Sequence, residues 1–347
     1  MRPTERHWRL GFTGFGRVNR ALASMLIDRR DELRQRHGLT FHVTLLATAT
    51  RGALNEARGL DPLAVFRDGW SSAASTIEAI RTAPIDLLFE ATPLDPVRGE
   101  PASTHARLAL ERGVSVVSAN KGPVAFAADE LIAAAEASGA GFRFESAVAD
   151  CLPVFDCFEV VVPVGRITRF RGILNSTSNL VLQAMVRGES MQSAVEAAQR
   201  IGVAEADPAH DLDGWDQAVK AAIVTHLLLG QEAWPADVER VPLSQVDVDW
   251  VRSEQRAGRT VRLAAEGEPG KAPRVGPVAL QAGGFLASLE GGSLGIMFDT
   301  ELAGTLTLGI MEPRVEQTAY GMLSDLVAIH HGRRLVPRPL PLPPGRP

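Results

Sequence analysis

The sequence offers little sulfur chemistry: 347 residues include two cysteines, Cys151 and Cys157. That is too few for a disulfide framework, and it points to a reducing, cytoplasmic compartment. An excess of one charge sign is also missing. The net charge is −5, with no long lysine or arginine run, so neither nucleic acid nor an anionic membrane is the expected partner. The apolar runs are too short or too interrupted to span a bilayer. The N-terminus "MRPTERHWRLGF" lacks the apolar core of a signal peptide, so the sequon Asn175-Ser176-Thr177 is discounted as a glycosylation site. Aromatics make up only 5%, whereas hydrophobic residues reach 45%, with alanine, leucine and valine abundant. This composition suits a helix-rich α/β protein with a substantial core, and the length suits two domains or one large one.

The first half alternates short apolar segments with helical ones. Strands are expected at "WRLGFTG", "FHVTLLATA", "IDLLFEAT", "VSVVSAN" and "FRFESAVA". Helices are expected at "RVNRALASMLIDRRDELRQRHG", "PASTHARLALERG" and "ADELIAAAEASGAG". The pattern predicts a parallel sheet covered on both faces, a doubly wound nucleotide-binding domain of the Rossmann type over residues 1–150. The second half breaks the rhythm. "RITRFRGILN" alternates as a strand does, two helices follow, and "TVRLAAEGE", "RVGPVAL", "SLGIMFDT" and "AGTLTLGI" look antiparallel. The reading is an α+β domain with an open mixed sheet over 151–316. The helix "QTAYGMLSDLVAIHHG", about 317–331, is expected to return to the first domain. The tail 336–347 is proline-rich and expected to be extended or disordered.

Gly14 and Gly16 fall where the first strand hands over to the first helix. A tight turn and then a bare backbone there would let a pyrophosphate approach a helix N-terminus. The third glycine of such a fingerprint is Asn19 here, a departure that should widen the approach. At the end of the second strand no acid stands ready for a ribose 2′-hydroxyl. Thr48, Thr50 and Arg51 stand there instead, and a guanidinium can fork onto a 2′-phosphate. The reading is NADP in preference to NAD, with an ordinary solvated arginine as the alternative.

The stretch "GVAEADPAHDLDGWDQAVKAAIVTHLLLG" carries Glu205, Asp207, Asp211, Asp213 and Asp216 before a lone amine, Lys220. Asp216 and Lys220 lie four apart, on one helix face bordering an apolar flank. They could be a surface ion pair of small worth, or a partly desolvated amine suited to proton transfer and kept charged by its neighbours. Asp213 or Asp211 could cap the helix. Lys121, just past the strand "VSVVSAN", lies at the sheet edge where α/β ligands bind. The cofactor, Lys121 and the Asp216/Lys220 pair could converge on one cleft, suited to an amino acid carrying an alcohol or aldehyde.

Taken together, "GFGRVNRAL", "VVSANKGP", "FRGILNSTSNLVLQAM" and "AQRIGVAEADPAHDLDGWDQAVKAA" resemble homoserine dehydrogenase, with "QTAYGMLSDL" a weaker echo. The acidic motif is the most specific of these. The resemblance implies NAD(P)H-dependent, reversible reduction of aspartate 4-semialdehyde to homoserine, and a homodimer formed through the substrate domain. It implies Lys220 as proton donor, with Asp216 and Lys121 beside it. Glu205, Asp211, Thr177 and Asn175 would hold the substrate. Phe15, Arg17 and Val18 in the glycine turn, and Thr92, Asn120 and Lys121 along the sheet edge, would meet the cofactor. A monovalent cation such as sodium is implied at Glu145 and Val148. However, the usual glycine-rich continuation is replaced by Ala149, Asp150 and Cys151, and a buried glutamate bonded to amides explains Glu145 as well. Ser176 replaces a usual glycine and should tighten the pocket. No room is expected for a regulatory amino-acid-binding domain.

Three rivals remain. A related oxidoreductase acting on another short amino or hydroxy acid would keep Lys220 and change the pocket. A non-catalytic NADP sensor would have no use for the Asp216/Lys220 pair. A cysteine-dependent semialdehyde dehydrogenase would need a base near Cys151 or Cys157. No histidine has a telling spacing, so both cysteines read as packing residues, and His330-His331 as a helix C-terminal pair.

Overall fold

The computed structural model describes residues 5–201, 203–204 and 207–336. They form two compact units: the residues up to Cys151 together with Arg314–Val336, and Leu152–Pro313. Among the described residues no helix is long and apolar enough to cross a membrane.

Unit 1 is built on a six-stranded sheet of β1 (Arg6–Thr13), β2 (Leu39–Thr48), β3 (Gly52–Leu60), β4 (Leu87–Glu90), β5 (Ser115–Ser118) and β6 (Phe142–Arg143). The spatial order is β3-β2-β1-β4-β5-β6. All neighbours run parallel except β3, which returns antiparallel to β2. β4 and β5 are buried at every position, as parallel strands covered on both faces must be. β3 escapes a sequence reading because it is a half-exposed edge strand without a buried alternation. The helix Arg17–Asp28 turns Asn19, Leu22, Ala23 and Leu26 inward at helical spacing. The last helix, Val315–His330, packs Met322, Leu323, Leu326 and Ile329 into the same core as Trp8, Leu10, Leu22 and Leu26.

The helix expected over 17–38 holds with one break at Arg29: it runs as Arg17–Asp28, Arg30–Glu32 and the π-helical turn Leu33–His37, closed by Gly38 at φ +70°. One local expectation fails. The strand expected over 142–149 ends at Arg143, and the chain turns into the short helix Ser146–Ala149. Asp150 then takes φ +54°, a left-handed backbone that a residue with a Cβ adopts only at a cost.

Unit 2 carries β7 (Ile167–Ile173), β8 (Glu239–Arg240), β9 (Arg259–Gly267), β10 (Arg274–Gln281), β11 (Leu294–Thr300) and β12 (Gly304–Ile310). The order is β12-β11-β7-β9-β10-β8, antiparallel throughout except for the short parallel pair β8 and β10. The helices Ser176–Val186 and Met191–Arg200 pack with β9 residues Val261 and Leu263. Asn179, 2% exposed, pins the first of these helices to β9: its side chain donates to the Leu263 carbonyl at 2.9 Å and accepts from the Leu263 N–H at 3.0 Å. The helix Trp215–Leu228 is buried along nearly its whole length. Lys220 therefore lies inside the packing rather than at the rim of an amphipathic face.

Candidate active site

In unit 1 the strand order reverses between β1 and β4, so their carboxyl ends open the crevice where α/β sheets take ligands. Gly14 follows β1 with φ +70°, and a Cβ there would lie 2.6 Å from the Ala91 carbonyl oxygen. Only glycine fits. Gly16 caps the helix Arg17–Asp28, and a Cβ placed on it would meet nothing within 4 Å. A bare turn at a helix N-terminus has the form of a phosphate cradle.

Asn19 does not widen the cradle as the sequence suggested. It is fully buried, and its amide donates to the carbonyls of Thr13 at 3.1 Å and Gly14 at 2.6 Å. The side chain holds the turn shut from below. Phe15 points into the core against Phe12 and Phe66, leaving only its backbone for a ligand. Arg17 is exposed and Val18 half-buried.

Arg51 sits in the hairpin between β2 and β3, where its N–H donates to the Thr48 hydroxyl oxygen at 3.1 Å. Its guanidinium lies 5.0 Å from the Phe66 ring centroid and 5.1 Å from that of Trp70, and donates to the Phe66 carbonyl at 3.2 Å. It is a held group, not a loose solvated one.

Beyond β4 and β5, Asn120 donates to the carbonyls of Thr92 at 2.9 Å and Pro93 at 3.2 Å. Its oxygen accepts from the Gly122 N–H at 2.8 Å, and Lys121 stands half-buried at the head of the helix Gly122–Ser138.

In unit 2 the acid–amine group is assembled around Asn175. This side chain caps the helix Ser176–Val186, accepting from the Ser178 N–H at 2.9 Å. Its amide nitrogen donates to Asp211 at 2.8 Å and to Asp216 at 3.0 Å. The capping bond fixes which end of the amide faces the two acids. Asp216 in turn lies 2.8 Å from the Lys220 ammonium, which also donates to the Leu174 carbonyl at 2.5 Å. Lys220 is only 9% exposed. Asp211, held also by the Thr177 hydroxyl, has its carboxyl pushed above the usual range, first by burial and then by the charge of Asp216.

Neither Asp211 nor Asp213 caps the lysine helix. Gly214 takes that position at φ +77° without a side-chain bond. Asp213 is exposed, and Glu205 lies outside the described residues. Ser176 directs its hydroxyl to the Gly292 carbonyl at 2.5 Å.

Glu145 and Val148, which the resemblance assigned to a cation, lie just after β6: Glu145 is buried, with its N–H donating to Asp325 at 2.9 Å, and Val148 is buried in the helix Ser146–Ala149. Among the described residues no group of three or more His, Cys, Asp and Glu side chains is arranged to hold a metal. Cys157 is buried, and burial raises the Cys151 thiol above its ordinary pKa, which is opposite to what a nucleophile needs.

Sequence reasoning missed Glu90, His105, Arg143 and Asp325, all buried and charged or chargeable. Glu90 at the end of a strand was the one legible signal.

The family model for homoserine dehydrogenase matches residues 153–327. An NAD(+)-dependent homoserine dehydrogenase of Pseudomonas canavaninivorans is 33% identical, covering 93% of this chain and 96% of its own. A homoserine dehydrogenase of Methanocaldococcus jannaschii is 28% identical over 92% of this chain and 98% of its own. The chain belongs to the homoserine dehydrogenase family. A solved homoserine dehydrogenase of Thermoplasma acidophilum shares the fold at a TM-score of 0.79 and 25% identity, covering 94% of this chain and 100% of that one. As a homoserine dehydrogenase the chain is an NAD(P)-dependent oxidoreductase acting on a CH–OH group. The cradle fits such a dinucleotide: Gly14 excludes a side chain, Gly16 leaves the backbone open, and the helix N-terminus faces the gap.

Proposed function

We propose that the chain interconverts L-aspartate 4-semialdehyde and L-homoserine, prefers NADP to NAD, and uses Lys220 as the proton donor. The observation that carries the role of Lys220 is its bonding. An ammonium has three N–H donors, and among the described residues two are engaged, by Leu174 and Asp216. A third would serve the aldehyde oxygen, in surroundings dry enough to strengthen that contact. When bound, NAD(P)H would supply a hydride for the aldehyde carbon. Lys220 gives its proton to the oxygen as negative charge develops there, and the product is the alcohol. Asp216 holds the amine in place, and Asn175 holds Asp216. The backbone of Gly14 to Val18 would take the pyrophosphate, with Thr92, Asn120 and Lys121 along the same edge. The test is oxidation of NADPH and of NADH with aspartate 4-semialdehyde. Binding of NADPH without turnover of this aldehyde would move the assignment to another short amino or hydroxy acid.

The preference for NADP rests on Arg51. Stacked on two rings, it keeps guanidinium N–H groups to offer a 2′-phosphate with little further loss of freedom. Arg51→Ala is expected to raise KM for NADPH roughly tenfold or more, the worth of a charge-assisted bond, with KM for NADH little changed. Equal effects on both cofactors would refute it.

Asp211 would receive the substrate ammonium together with Glu205. Its raised pKa sets the sign of the pH effect. The carboxylate binds an ammonium only when ionised, so affinity for homoserine falls as pH drops through that raised value, above the ordinary value near ~4. For folding the sign is opposite: a raised carboxyl favours the folded state at low pH and loses that contribution as pH rises through it. Asp211→Asn should raise KM for homoserine at neutral pH and remove this acid limb. A limb unchanged in the variant would assign it to another group.

A homodimer through unit 2 completes the reading. The exposed apolar side chains Val160, Val161, Val164 and Leu302 in that unit support it. A monomer mass by light scattering at micromolar concentration would rule it out.

A further inference from the structure

The proton-transfer chemistry makes no use of Glu90, yet this carboxylate is fully buried at the carboxyl end of β4, beside the end of β1, where the strand order reverses. Burying a carboxylate is costly unless its oxygens are satisfied. Glu90 meets that condition with four donors. One oxygen accepts from the Thr92 N–H at 2.8 Å and from the Thr92 hydroxyl. The other accepts from the Thr13 hydroxyl at 2.6 Å and pairs with His105 Nδ1 at 2.9 Å. His105, 4% exposed, comes from the helix Ala102–Glu111.

These donors are not arbitrary parts of the core. Thr13 is the residue before Gly14, and its carbonyl is one of the two that Asn19 holds. Thr92 shares its hydroxyl oxygen and its carbonyl with the Asn120 amide, and Asn120 also binds the first N–H of the helix Gly122–Ser138. One buried carboxyl side chain therefore ties the glycine turn, the end of β4 and the end of β5 into one hydrogen-bonded frame. A carboxylate accepts at all four positions, whereas an amide cannot accept at its nitrogen. Three of the donors, the two hydroxyls and the imidazole, could turn away from an amide, but the Thr92 N–H is fixed by the backbone.

We propose that Glu90 is a positioning residue for the dinucleotide, acting through Thr13 and Thr92, with His105 holding it in place. The proposal rests on the NAD(P) dependence of the family and goes beyond it. Its role is to preorganise the rim of the cradle before the cofactor arrives, so that little freedom is lost on binding. Its loss therefore affects cofactor affinity more than substrate affinity.

The test is a direct titration of NADPH fluorescence on the full chain, beside circular-dichroism melting. The wild-type titration checks NADPH binding itself, separately from the role of Glu90. Glu90→Gln is expected to raise Kd for NADPH by about tenfold or more, while KM for homoserine shifts less than about twofold. Thr92→Val, which removes one donor and leaves the acid in place, should move Kd in the same direction. His105→Asn, whose amide nitrogen can stand where Nδ1 does, should lose less affinity than His105→Leu. An NADPH Kd within about twofold of wild type in Glu90→Gln would overturn the proposal. So would losses that follow the melting temperature across the series and weaken homoserine and NADPH alike, because that pattern marks a purely structural group.

Discussion

Replacing Lys220 by alanine is expected to lower kcat with aspartate 4-semialdehyde and NADPH by at least ~100-fold, the scale of a lost general acid, or about 2.7 kcal/mol of barrier. NADPH affinity should hardly change, because the bonds of Lys220 run to Leu174 and Asp216, within unit 2. A second variant separates charge from proton transfer. Lys220→Arg keeps a cation beside Asp216, but a guanidinium holds its protons at every working pH. If position 220 only supplied charge, arginine would restore much of the rate. If it donates the proton, arginine remains as poor as alanine. Single-turnover rates, measured with NADPH saturating, report this without interference from product release. An alanine variant that keeps more than a tenth of wild-type kcat would remove Lys220 from the chemistry.

The second large effect concerns stability. Arg143 and Asp325 form an ion pair at 3.0 Å whose side chains are 0% and 2% exposed. Asp325 also accepts from the Glu145 N–H at 2.9 Å, and Arg143 donates to the carbonyls of Arg333 at 3.3 Å and Leu335 at 3.2 Å. The pair joins β6 to the last helix. Asp325→Ala is expected to cost about 3–5 kcal/mol, because the guanidinium stays buried without this carboxylate. That is a large share of the ~5–15 kcal/mol available to a typical protein. The double variant Arg143→Met, Asp325→Leu should recover most of the loss, since the charge that needed a partner is gone. Urea unfolding followed by circular dichroism measures both variants against the wild type. A single variant that loses under about 1 kcal/mol would show that the pair adds little beyond the packing around it.

Much of the fold was legible because it is written in local periods. β1, β2, β4 and β5 are short apolar runs broken by helices, and a sheet buried on both faces leaves that mark. β3 left none, because an edge strand with solvent on much of its surface needs no apolar alternation. The strand expected past Arg143 failed because a run of small and apolar residues fits a buried helical turn equally well.

In the candidate site, the Asp216–Lys220 pair could be read from its spacing of one helical turn, and Gly14 from its place between strand and helix. The sequence by itself determined the α/β class and most strands of the two sheets, and it carried the resemblance to the family. The tertiary structure alone decided which polar groups are dry and what they hold. It made Asn175 the link between two acids, turned Asn19 into a brace for the glycine turn, and buried Glu90 against His105 and Arg143 against Asp325. The physical reason is distance along the chain. Periodicity reports neighbours within a turn or two, but Arg143 meets its partner 182 residues away, and only the packed fold brings such groups within hydrogen-bonding range.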